Sequence, residues 1–78
     1  MPNAIDDLLD LPALLETGRA RQLRERAGLS AVAMARQLDV SPSAVTRWEQ
    51  GIRLPRGANA RRYARMLRRL ADREAVTS

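Results

Sequence analysis

Apolar residues recur at intervals of three and four along most of the chain, and no stretch alternates with period two over the length of a strand. The pattern predicts an all-α fold, a compact bundle of four or five short helices. The first stripe is Ile5, Leu8, Leu9, Leu11, Leu14 and Leu15. Pro12 interrupts it, and proline suits the first turn of a helix rather than its middle. The pattern predicts a short helix over about residues 4–10, capped by Asn3, then a break and a second turn over about 12–16. So short an arm does not hold helical structure alone, and its leucines need a surface to pack on.

The body begins with a helix from Gly18 to Ala27 that turns Ala20, Leu23 and Ala27 inward and stops at Gly28. Ser30 caps the next helix, Ala31 to Leu38, with Met34, Ala35 and Leu38 on its inner face. Asp39, Val40 and Ser41 form a tight connector. Ser41 caps a third helix, which starts on Pro42, runs to about Gln50 and buries Val45 and Trp48. After Gly51 comes a loop whose apolar residues Ile52, Leu54 and Pro55 read as anchors to the core. The last helix is expected from about Asn59 to Asp72, with Ala60, Tyr63, Ala64, Leu67, Leu70 and Ala71 as its stripe. Trp48 reads as core and Tyr63 as packing at the core's edge.

Charge divides the same chain differently. The net charge of +5 combines −4 over residues 1–16, which hold Asp6, Asp7, Asp10 and Glu16, with +9 over residues 17–78. Three parts follow: an acidic amphipathic arm (1–16), a basic helical domain (17–73) and a frayed tail (74–78). Every basic residue is Arg, and the sequence pI is about 11.4. A balance this basic suggests a polyanionic partner, although abundant Arg, Ala and Leu also follow from a GC-rich genome.

The missing residue types narrow the chemistry. Without His or Cys there is no zinc finger, no Cys–His nucleophilic pair and no disulfide framework. The four glycines lie at helix ends and in loops and make no phosphate-binding loop. The chain is therefore expected to be no enzyme and to use no cofactor and no metal. It starts on acidic rather than basic residues and has no apolar run near the roughly 20 residues of a membrane span. A soluble cytoplasmic protein is expected.

Two helices of about eight residues joined by a three-residue connector have helix-turn-helix spacing. In such a unit the first helix crosses the DNA backbone, and the second offers its N-terminal half to base edges in the major groove. The run from Gly28 to Gly51, with Val40-Ser41, Val45, Trp48-Glu49 and Gly51 at their spacing and Leu54-Pro55 following, resembles the helix-turn-helix of the phage repressor/Cro (XRE-type) family. The likeness extends over roughly residues 18–71.

The resemblance implies a lambda-repressor-like bundle and sequence-specific binding of double-stranded DNA. It implies base contacts from Pro42, Ser43, Ala44, Thr46 and Arg47, among which Arg47 can donate twice to a guanine. It implies phosphate contacts from Arg24, Ser30, Gln50, Arg53 and Arg56. Trp48 and Glu49 would be structural supports, with Glu49 paired to Arg24. Two positions depart from the family pattern. Ala31 stands where the family often has a Gln that contacts backbone, and Asp39 where it often has Gly in a left-handed turn. The family further implies transcriptional repression or regulation and a homodimer on DNA, with the arm or the last helix as contact surface. It also implies a cytoplasmic location on the nucleoid of a bacterial or phage-infected cell. An alternative is an antitoxin-type autoregulator or a polymerase-binding factor whose residues 4–15 hold a protein partner. The arginines of the last helix stay open between a solvated face, DNA contact and pairing with Asp6, Asp7 and Asp10.

Overall fold

The computed structural model describes residues 11–77. The helix expected over residues 4–10, its cap at Asn3, and Ile5, Leu8, Leu9, Asp6, Asp7 and Asp10 lie outside the described residues. Those described are all-helical apart from turns and loops. Helix α1 covers residues 11–16, α2 Arg19–Arg26, α3 Ala31–Leu38, α4 Pro42–Glu49 and α5 Gly57–Thr77. Helix α3 packs on α4, and α5 lies across α2 and α3.

Local chemistry sets most helix boundaries. Ser30 Oγ accepts from Ala33 N at 3.0 Å, and Ser41 Oγ accepts from Ala44 N at 3.3 Å. Each hydroxyl satisfies one amide that the first helical turn leaves unpaired. Asp39 ends α3 with φ 58°. Its N–H and that of Val40 donate back to the carbonyls of Arg36 and Ala35, closing the last turn as a left-handed residue does. The turn thus has the left-handed backbone expected at this position, with Asp accepting a strain glycine would not feel. Gly28, at φ 74°, closes α2 in the same way.

The core gathers residues from every helix. Leu11 and Leu15 of α1 are buried with Ala20 and Leu23 of α2, so the described part of the arm shares the body's core. Met34, Ala35 and Leu38 come from α3, Val45 and Trp48 from α4, and Tyr63, Leu67 and Leu70 from α5.

Four expectations need correction. Ala27 is exposed, and the α2 residue turned inward beside Ala20 and Leu23 is Arg24. Ala27 follows the last helical residue, where the chain already leaves the core. Tyr63 sits not at the core's edge but within it, with no exposed surface. Ile52 and Leu54 are not anchors, since 68% and 56% of their surface is exposed. Finally, α5 runs past Asp72 to Thr77. Glu74 Oε1 accepts from Arg19 Nη2 at 3.1 Å and Arg26 Nη1 at 3.0 Å, and this tie to α2 holds the extra turn.

Candidate nucleic-acid interface

Helix α4 has two distinct sides. Val45 and Trp48 face the core, while Pro42, Ser43, Thr46 and Arg47 are exposed and Ala44 is half-buried. Period 3.6 requires this division once Val45 and Trp48 are buried, because they share a face at a spacing of three.

The buried side is fixed through its C-terminal half. Glu49 accepts from Arg24 through both carboxylate oxygens, Nε to Oε2 at 2.7 Å and Nη2 to Oε1 at 3.0 Å. Arg24 Nη1 also donates to the Leu29 carbonyl at 2.8 Å. One guanidinium therefore ties the end of α4 to α2 and to the loop that leads into α3. Parallel bonds of this kind are directional as well as strong. The hydrogen bond that Arg24 donates to Glu49 chiefly raises the Arg24 pKa, working against the cost of burial. Next to this pair, the Trp48 and Tyr63 rings lie 5.0 Å apart between centroids, tilted by 36°. The Tyr63 hydroxyl is buried without a hydrogen-bond partner among the described residues. Its pKa is pushed well up, first by loss of solvent and then by the Glu49 charge.

The exposed side opens onto a cleft of about 670 Å³ between α4 and the following loop. Ser43, Ala44, Arg47, Arg53 and Arg56 border it, and no acidic residue does among those described. The structure thus brings together three of the expected base contacts and two of the expected phosphate contacts. Pro42 and Thr46 are exposed on α4 but do not border the cleft, and Gln50 is exposed at the helix's end. Thr46 Oγ1 donates to the Pro42 carbonyl at 3.2 Å, and the Ser41 and Ser43 hydroxyls lie 3.2 Å apart. Arg47, in contrast, has no ion-pair partner among the described residues. Ser30 is exposed, with its hydroxyl engaged by Ala33 N.

Arg24 differs from the other expected phosphate contacts. It is buried, with 9% of its surface exposed, and three of its donor contacts are made inside the protein. A guanidinium carries five N–H donors, so only the remaining two stay available to a phosphate.

Four participants were not expected from sequence. Ile52 and Leu54 border the cleft as exposed apolar side chains, and Asn59 borders it while accepting from Arg62 Nη2 at 2.7 Å. The Leu29 carbonyl carries no side-chain signal at all. Its role depends on the left-handed turn at Gly28, which was legible as a helix stop but not as an acceptor for Arg24.

No helix among the described residues is long and apolar enough to cross a membrane. No group of His, Cys, Asp and Glu among them is suited to hold a metal. Comparison with curated proteins and with solved structures finds no match. A family model described as "Helix-turn-helix domain" matches residues 17–76, from the start of α2 nearly to the end of α5. Helices α3 and α4 with their three-residue connector are the unit this description names, and the chain belongs to the helix-turn-helix domain family.

Proposed function

We propose that the protein is a sequence-specific regulator of transcription, of the phage repressor/Cro kind, that reads double-stranded DNA through the major groove with α4. The observation that carries the reading is the pose of Arg47. It is exposed and has no ion-pair partner among the described residues, on a helix held from behind by the Arg24–Glu49 pair and the Trp48–Tyr63 contact. Such a side chain meets a base edge without first breaking an internal bond, and its fork matches the two acceptors of guanine. Ser43, Ala44, Thr46 and Pro42 complete the face presented to bases. Arg53, Arg56 and Gln50 engage phosphates beside it, and the N-terminal end of α3 at Ser30 offers amides to another. Arg24 acts chiefly as a positioning residue behind α4. No step calls for an enzyme, cofactor or metal.

The protein binds as a homodimer on two half-sites, whose centres lie about 34 Å apart along the duplex. The body's longest extent is 30 Å, so two copies fit side by side on that spacing. Its place of action is the nucleoid, in the cytoplasm.

Selection of bound sequences from a random duplex library tests this directly. A single enriched motif with two-fold symmetry is expected. Arg47→Ala removes preference at one position of each half-site. Arg53→Ala weakens all sequences alike and lowers the salt slope by about one. Retention of full sequence preference by Arg47→Ala sinks the assignment of α4 as the reading helix.

A further inference from the structure

We infer that the basic flank of α5 is a docking groove for the acidic arm of a second copy of this chain. Two shallow hollows lie along α5 on the side facing α3 and the connection from α2 to α3, and Gln37, Met66 and Arg69 border both. Between the rims lie the buried Leu38 and Leu70, the half-buried Leu29 and Met66, and the exposed Gln37. One rim is a row of arginines, Arg62, Arg65 and Arg69, at spacings of three and four along α5. Arg65 and Arg69 are exposed and pair with no acidic side chain among the described residues. An apolar trough with a cationic edge on one side fits an amphipathic helix that is acidic along one flank.

Residues 4–10 have that pattern. At helical spacing Ile5, Leu8 and Leu9 share one face, while Asp6 and Asp10 fall on the flank beside Leu9 and Asp7 beyond them. Seven helical residues rise about 10 Å, and α5 rises about 16 Å from Arg62 to Arg73, so the groove is long enough. With the apolar face on the floor, Asp6 and Asp10 meet the Arg65 and Arg69 rim. Exposed ion pairs set register and orientation rather than supplying most of the affinity, which falls to the leucines and isoleucine.

We take the arm from a second copy; a chain's own arm folded back onto its groove would leave the protein monomeric, and sedimentation separates the two. Exchange is then reciprocal and closes as a two-fold pair. This deepens the two-copy reading proposed above and rests on it for the number of copies.

The test is sedimentation of the full-length chain without DNA, so that failure to associate and failure to select an operator are separate outcomes. The wild-type chain is expected to dimerise, more weakly as salt rises. Arg65→Glu with Arg69→Glu, and separately Asp6→Arg with Asp10→Arg, should each weaken the dimer by about tenfold or more, because like charges now face each other. Mixing the two variants should restore dimerisation, since each arm then meets a groove of opposite charge. Helical circular dichroism at wild-type strength verifies that the variants are folded, which the exposure of Arg65 and Arg69 favours for the groove variant. A second pair, Arg65→Gln with Arg69→Gln, reads the same loss without introducing repulsion. A monomeric wild-type chain, reversals that leave dimerisation unchanged, or a mixture that stays monomeric each overturns the inference.

Discussion

Between neutrality and about pH 12, Tyr63 is the only side chain with an ordinary pKa in range, because the sequence has no His, Cys or Lys and a single Tyr. Above about pH 9, where an α-amino group has already lost its proton, alkaline unfolding is an experiment on one group. In the unfolded chain the phenol ionises near its usual value of about 10. In the folded protein burial, followed by the Glu49 charge, holds that pKa well above this value. The unfolded state then loses a proton that the folded state keeps. Stability is fully present below about pH 10 and falls as pH rises beyond it. One proton corresponds to about 1.4 kcal/mol per pH unit, so the protein should lose about 2 kcal/mol between pH 9 and pH 11.5.

Urea unfolding followed by circular dichroism across that range measures the slope, and absorbance near 295 nm reports ionisation in the folded protein. Tyr63→Phe should flatten the slope. Because the hydroxyl is buried with no partner, its removal should leave stability at neutral pH unchanged or raise it by about 1 kcal/mol. Tyrosinate appearing near pH 10 in the folded wild-type protein, or an equal alkaline slope in Tyr63→Phe, would refute this account of the core.

Glu49→Ala leaves the Arg24 guanidinium buried without its carboxylate, and should cost about 3–5 kcal/mol in urea unfolding. A 78-residue domain holds only about 4–12 kcal/mol in total, so this variant should be near its unfolding threshold at 37 °C. Replacing both partners, Arg24→Met with Glu49→Leu, should recover most of that loss in the same assay. Ser41→Ala removes the α4 cap and should cost about 1 kcal/mol, read by the same unfolding curves. The Glu74 carboxyl is held below its ordinary pKa, chiefly by its hydrogen bond from Arg19. Its tie between α2 and α5 is therefore fully present above the usual carboxylate range and lost as pH falls through the lowered value. An NMR titration of this carboxyl should find its midpoint below the ordinary glutamate value of about 4.3, and Arg19→Ala should raise it.

The parts of the fold that were legible in the sequence are those decided within one turn of chain. Ser30 and Ser41-Pro42 announce helix starts because capping needs only a hydroxyl three residues ahead of an amide. Asp39 was legible as part of a tight connector from its place between two amphipathic stretches, and as left-handed only through the resemblance to a family that often has Gly there. The stripe of α4 follows from Val45 and Trp48 alone. What was not legible depends on partners far along the chain. Ala20, Leu23, Arg24 and Ala27 all lie on neighbouring sides of α2, and Arg24 turns inward only because Glu49, 25 residues later, receives it. The length of α5 depends likewise on Arg19 and Arg26 reaching Glu74. Ile52 and Leu54 looked like anchors because they are apolar, but apolar character alone does not decide burial. Tyr63 looked like an edge residue because a phenol usually keeps a hydrogen bond, and the sequence carries no sign that its hydroxyl goes unpaired.

The residues least favourable to stability stand together behind α4. A buried ion pair rarely stabilises more than an apolar replacement would, and a buried hydroxyl without a partner costs free energy outright. Both occur where α2, α4 and α5 meet, at Arg24, Glu49 and Tyr63. An apolar core at this junction would hold the helices together but leave α4 freer to rotate or slide, because apolar contacts are not directional. The bidentate bond from Arg24 has one satisfactory geometry, and it acts on the last residue of α4. Its third bond, to the Leu29 carbonyl, refers that geometry to the start of α3. The orientation of the exposed face is thus set at the opposite end of α4 from Pro42 and Ser43, and Arg47, Arg53 and Arg56 at the cleft are left without ion-pair partners among the described residues. A domain this small uses its scarce interior for directional bonds at the one helix whose pose decides what Arg47 can reach.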